Sequence, residues 1–143
     1  MLAFIATFAC GAFFGAAVYV SLAQLPAILE VGGEFAGRSF GPMYRRAARM
    51  QAPLAVVGTV MAILSWLTGS GLAWLVGGLF LFAVLPLTYI RIMPINNQLL
   101  DPSHAPDAPD TELLLRQWGR LHAVRTALSG LAFVIFLAEL AFA

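Results

Sequence analysis

Lysine is absent from this sequence: all eight basic residues are arginine, and charged residues of both signs make up only 10% of the chain. A water-soluble domain carries about 25% charged residues, so most of this surface has no ionic groups to present to water. A net charge of +1 with no lysine-rich run lacks the clustered positive excess that a nucleic-acid-binding surface requires. Cysteine is nearly absent too. Cys10 stands alone, which excludes an internal disulfide and a cysteine-based metal cluster. Histidine occurs twice, as His104 and His122, in different contexts, so neither a two-histidine haem site nor a three-ligand zinc site is expected. No GxGxxG follows a strand, no Walker sequence is present, and no Ser/His/Asp arrangement is visible.

What fills the chain instead is apolar sequence. Hydrophobic residues make up 61% and the mean hydropathy is +0.88. They fall into long, nearly uncharged runs rather than a periodic stripe, and this points to lipid as the surrounding solvent. Four runs are long enough to cross a hydrocarbon core of about 30 Å. They cover approximately residues 2–29, 52–68, 71–93 and 113–142. The predicted fold is all-α: an integral membrane four-helix bundle, up-down-up-down, formed by residues 1–143 as one domain. Cys10 after a short apolar stretch also allows a lipoprotein or secretory signal. However, no basic segment precedes it, and the apolar run continues past the length of a signal core.

Local signals refine the spans. Gly11 and Gly15, with Ala12 and Ala16 one residue on, give small-residue pairs at a spacing that lets helix backbones approach. Pro53 falls near the start of the second span, Pro86 is expected to kink the third, and Pro94 to stop it. Gly69-Ser70-Gly71 reads as a tight turn, with Trp66 and Trp74 as interfacial aromatics on either side. Asp110 or Thr111 is the expected N-cap of the fourth helix, with Glu112 in its first turn. The segments Glu30–Met50 and Pro94–Asp110 read as longer links. All eight arginines lie in or near these two links, and the termini and the Gly-Ser-Gly turn have none. The positive-inside rule then places both links in the cytoplasm and both termini outside, in what reads as a bacterial inner membrane.

A polar residue at membrane depth is a functional candidate. Trp118, His122 and Arg125 recur at i, i+4 and i+7, and at about 100° per residue they share one face of the fourth helix. Arg120 falls on the opposite side. Arg125 enters the apolar run by about one turn, and an arginine at a helix centre costs roughly 2.5–3.5 kcal/mol on insertion scales. Arg91, Asn96 and Asn97 end the third helix at the same level. Gln24 and Glu30 arrive there from the first helix, and Tyr44 from the following link. The plainer readings are an interfacial anchor for Trp118, a bundle hydrogen bond for His122, a helix-end turn for Asn96 and Asn97, and a solvated His104.

The run Pro94-Ile95-Asn96-Asn97-Gln98-Leu99, followed after a short link by Trp118-Gly119-Arg120-Leu121-His122-Ala123-Val124-Arg125-Thr126, resembles the anthrone oxygenase-like family of small four-helix membrane proteins. The shared pattern is Pro-x-Asn-x-x-Leu at the end of helix three and Trp-x-x-x-His-x-x-Arg on helix four. The resemblance implies a monooxygenase-like activity that oxidises an anthrone to an anthraquinone with O2 and without metal or organic cofactor. In that case His122 is the base and Arg125 stabilises the developing anion. Asn96 hydrogen-bonds a substrate oxygen, Trp118 stacks on a flat ring, and Asn97, Arg91, Tyr44 and Gln24 complete the binding site. The expected partners are the lipid bilayer, from the hydropathy, and a flat lipophilic aromatic molecule, from the resemblance; a homo-oligomer is also allowed. Two other readings remain open: a non-enzymatic membrane scaffold or accessory subunit, and an oligomeric carrier or channel.

Overall fold

The computed structural model describes residues 1–142. Among these, four long helices carry the fold: α1 (Leu2–Val31), α2 (Gly33–Leu67), α3 (Leu72–Leu99) and α4 (Thr111–Phe142), each long and apolar enough to cross a membrane. Each packs against its neighbours in sequence, and α4 closes the ring against α1. Large apolar side chains cover the outside of the bundle, among them Phe8, Leu22, Leu72 and Val134. A continuous apolar exterior of this kind would be a liability in water but is natural against lipid. The architecture is that of an integral membrane four-helix bundle, as the composition predicts.

The expected link over Glu30–Met50 is instead helix. The chain reverses at Gly32, whose φ of 133° is open to glycine and strained for other residues. From Gly33 one helix runs unbroken through Pro42 and Pro53 to Leu67. Its first half is rich in Arg, Ala and Met, which are strong helix formers, and Glu34 pairs with Arg38 one turn on, at 2.7 Å. At 35 residues α2 is about 52 Å long, longer than the hydrocarbon core. The arginine-bearing half therefore extends the bundle beyond it. Arg38, Arg45, Arg46, Arg49, Arg91, Arg116 and Arg120 are all exposed at this end, whereas Arg125 is turned inward.

Pro94 does not stop α3. The helix widens into a π-helical turn over Thr88–Ile92 and continues to Leu99. α1 does the same over Val20–Gln24 before Pro26. In both helices the proline is the second residue after the π turn. Proline has no N–H for the carbonyl four residues back and crowds it, and a one-residue bulge lets the helix pass without breaking. Past α3, Ser103 donates from its hydroxyl and its backbone N–H to Asp101 Oδ1 at 2.6 and 2.7 Å. These two bonds hold the Asp101 carboxyl below the usual carboxylate range. His104 is not free in solvent as expected: its Nε2 lies 2.9 Å from Thr111 Oγ1, whose own proton goes to the Ala105 carbonyl at 3.3 Å. The Thr111 hydroxyl is thus spent on the link, and the cap position falls to Asp110, whose carbonyl accepts from Leu114.

Two cores fill the bundle. At the end carrying the chain termini, Phe13, Leu81 and Phe136 pack with Trp74 and a set of alanines. At the arginine-rich end, Phe40, Ile92, Leu115 and Trp118 form the second. Trp74 is therefore no interfacial anchor. It is buried and stacked on Phe136 with ring centroids 5.0 Å apart. The Gly11/Gly15 pair divides in the same way, because Gly11 meets the Phe133 ring of α4 while Gly15 faces open space.

Close packing at Gly77 makes the first core testable. A Cβ there would fall 2.5 Å from the ring of Phe136. Gly77→Ala is expected to lower stability by about 1–3 kcal/mol, read as a drop in the thermal unfolding midpoint in detergent. Gly15→Ala is expected to be neutral or to stabilise by up to about 1 kcal/mol. Equal losses in both variants would contradict this packing.

Candidate functional site

Between the two cores lies a cavity of about 160 Å³, walled by all four helices. Phe13 and Val20 come from α1; Tyr44, Gln51 and Ala52 from α2; Val84, Thr88 and Met93 from α3; and Trp118, His122 and Arg125 from α4. The two π turns flank it, since Val20 begins one and Thr88 the other. The wall is mostly apolar, and its few polar groups come largely from the i, i+4, i+7 face of α4.

His122 is 2% exposed. Its Nδ1 lies 3.0 Å from Ser21 Oγ, which lies 3.0 Å from Thr126 Oγ1, and Thr126 donates to the His122 carbonyl at 3.2 Å. One proton arrangement makes all three contacts hydrogen bonds: Nδ1–H donates to Ser21, Ser21 to Thr126, and Thr126 to the carbonyl. That arrangement fixes the tautomer and leaves Nε2 with a lone pair and no partner among the described residues. Trp118 stacks on the imidazole at 4.7 Å and meets Phe40 edge-on at 5.4 Å, and Phe40 in turn stacks on Tyr44 at 5.8 Å. The Tyr44 hydroxyl donates to Met93 Sδ at 3.8 Å.

Arg125 is held differently. Its Nη2 donates to Gln51 Oε1 at 3.1 Å, and its guanidinium carbon sits 5.4 Å from the centre of the Phe13 ring. The ion pairs among the described residues are Arg38–Glu34 and Arg116–Glu112, both on the exposed end. Among the described residues no carboxylate reaches Arg125.

Of the side chains singled out in the sequence, Trp118, His122, Arg125 and Tyr44 meet at this cavity. Arg91 and Asn97 are exposed on the outside of α3. Gln24 lines an adjoining surface groove between α1 and α2 that shares Val20, Met43, Ala47 and Gln51 with the cavity wall. Asn96 is fully buried with neither amide atom partnered, yet it does not line the cavity. Four polar or aromatic contributors escape a sequence reading: Gln51, Ser21, Thr126 and Phe13. Gln51 had the clearest signal, as an uncharged polar residue one position before the expected start of the second span. Among the described residues no three His, Cys, Asp or Glu side chains converge, so what the cavity offers is a base and a cation.

The tautomer is directly measurable. In protein labelled with ¹⁵N-histidine and carrying His104→Gln, the His122 resonances are expected to show a protonated Nδ1 and a bare Nε2. A protonated Nε2 would overturn the hydrogen-bond chain through Ser21.

The family model described as anthrone oxygenase matches residues 40–135, well over half of the chain. The matched segment contains Tyr44, Gln51, Asn96, Trp118, His122 and Arg125. Comparison with curated proteins and with solved structures returns no match.

Proposed function

The chain belongs to the anthrone oxygenase family, and from that premise we propose that its cavity oxidises a flat, lipophilic aromatic ketone of the anthrone type with O2 alone. The observation that carries this reading is one apolar cavity faced by both a fixed imidazole and a guanidinium free of any carboxylate. The methylene of an anthrone is acidic because its conjugate base spreads charge into two rings and onto the carbonyl oxygen. His122 Nε2 takes that proton. Arg125 stabilises the enolate oxygen in a site from which water is excluded. The carbanion gives one electron to O2, and the carbon radical and superoxide combine to a hydroperoxide at the former methylene. Loss of its second hydrogen with cleavage of the O–O bond yields the quinone carbonyl and one water. Trp118 stacks against the ring system, and Tyr44 closes the wall beside Met93.

Size matters here. An apolar cavity of roughly 150 Å³ suffices for benzene, so 160 Å³ seats one ring in this conformation. Lining residues on α1 and on most of α4 are buried, whereas Ala52 on α2 is exposed and Leu85 and Thr88 on α3 are half-exposed. A tricyclic substrate thus projects between α2 and α3 toward lipid, from which such a molecule partitions. Asn96 does not line the cavity and takes no part in this reading.

His122→Ala and Arg125→Ala are each expected to lower anthrone-dependent O2 uptake by about 10²–10⁴-fold while unfolding midpoints stay near that of the parent. Normal turnover in both variants would end this assignment. The orientation proposed from the arginine distribution puts both termini outside the cytoplasm. Periplasm-active reporters fused to either end are expected to be active and cytoplasm-active ones silent, and the reverse pattern would refute it.

A further inference from the structure

The polar groups around the cavity are incompletely paired. Gln51 is 2% and Trp118 3% exposed, and Gln51 Nε2, Trp118 Nε1 and Arg125 Nε are all buried N–H groups without a partner among the described residues. All three residues line the cavity. A buried polar group left unpaired costs about 1–3 kcal/mol, but these three N–H groups are as closed to the cavity as to solvent and do not themselves call for an occupant. Charge does. The Arg125 guanidinium meets Gln51 from α2 and Phe13 from α1, the other polar groups lining its cavity include Tyr44, Thr88 and His122, and none of these is a carboxylate. An unpaired cation at this depth is expensive. A glutamate in place of Gln51 would neutralise it at almost no change in shape, yet the chain has the neutral amide.

We propose that the cavity holds its occupant as a monoanion, with the oxygen of a phenolate or enolate against Arg125, and that Gln51 orients the guanidinium while leaving its charge for that anion. This rests on the cavity being the substrate site and adds the ionisation state and substrate class. Aromatics with an acidic O–H, or a C–H acidified by a carbonyl, are taken, and neutral hydrocarbons of the same shape are not favoured. Gln51 is then a positioning residue, and its neutrality is the property that counts.

The test uses 4-nitrophenol, a single ring that suits the cavity volume and whose phenolate absorbs visibly. The full chain in nanodiscs is titrated with the probe across pH, with empty nanodiscs as the blank and nitrobenzene as the uncharged analogue. The parent protein is expected to lower the bound probe's ionisation midpoint by about one pH unit or more, a tenfold preference for phenolate. Gln51→Glu is expected to lose that preference yet bind nitrobenzene as the parent does, while Gln51→Met keeps a phenolate preference with weaker affinity. An unchanged or raised midpoint in the parent protein overturns the proposal without recourse to any variant, as does undiminished phenolate binding by Gln51→Glu. Failure of both probes to bind the parent overturns it together with the site assignment. Binding of nitrobenzene alone overturns the charge inference and leaves the site standing.

Discussion

A guanidinium held inside a membrane bundle by a neutral amide is the constraint around which this structure is arranged. Seven arginines lie on the exposed, basic end, where water and head groups solvate them. Arg125 faces inward, against Gln51 and the Phe13 ring. Burial of a cation without an anion is costly, and such residues at membrane depth usually mark a functional path or a ligand counter-ion. The surrounding wall follows from that placement. It is mostly apolar, which strengthens any charge interaction inside, and its one bare acceptor with a fixed tautomer is His122 Nε2.

Backbone irregularity supplies the geometry. A regular helix places side chains every 100° or so, and two π turns break that register in α1 and α3 at the cavity level. In α1 the turn carries Ser21, which reaches His122 Nδ1. In α3 it carries Thr88, on the cavity wall. A proline stands two residues past each bulge, but Pro42, Pro53 and Pro86 lie within regular helix, so a proline alone does not foretell one. The cavity thus lies beside the two irregular stretches of helix, with a packed core on either side.

Hydropathy alone discloses the number of helices, their order and the separation of arginines from the opposite end, because lipid imposes a long, uncharged run on every span. The face of α4 with Trp118, His122 and Arg125 was equally open to reading, since helical spacing fixes it without knowledge of any neighbour. The first half of α2 was not, because an arginine-bearing segment with glycines looks like a link when the only criterion is entry into lipid. That it is helix follows from propensity and from packing of Phe40 against Trp118, a contact between residues far apart in the chain. The prolines misled for a related reason: Pro94 normally ends a helix, and the π turn that rescues it has no sequence signature of its own. Gln51 and Ser21 lie on helices whose rotation about their axes hydropathy leaves free. Arg91 and Asn97 are exposed, Asn96 is buried away from the lining and Gln24 faces the adjoining groove, because hydropathy does not fix which side of a helix faces the cavity.

The central claim is that this cavity removes a proton from carbon by stabilising the oxyanion that results, before oxygen takes part. Deuterium exchange into the methylene of anthrone, followed by NMR or mass spectrometry under strict exclusion of O2, tests it most directly. The account predicts exchange well above the buffer rate with the parent protein, falling to that rate when His122 or Arg125 is replaced by alanine. Exchange no faster than buffer, in a sample that consumes O2 as soon as air is admitted, would contradict it.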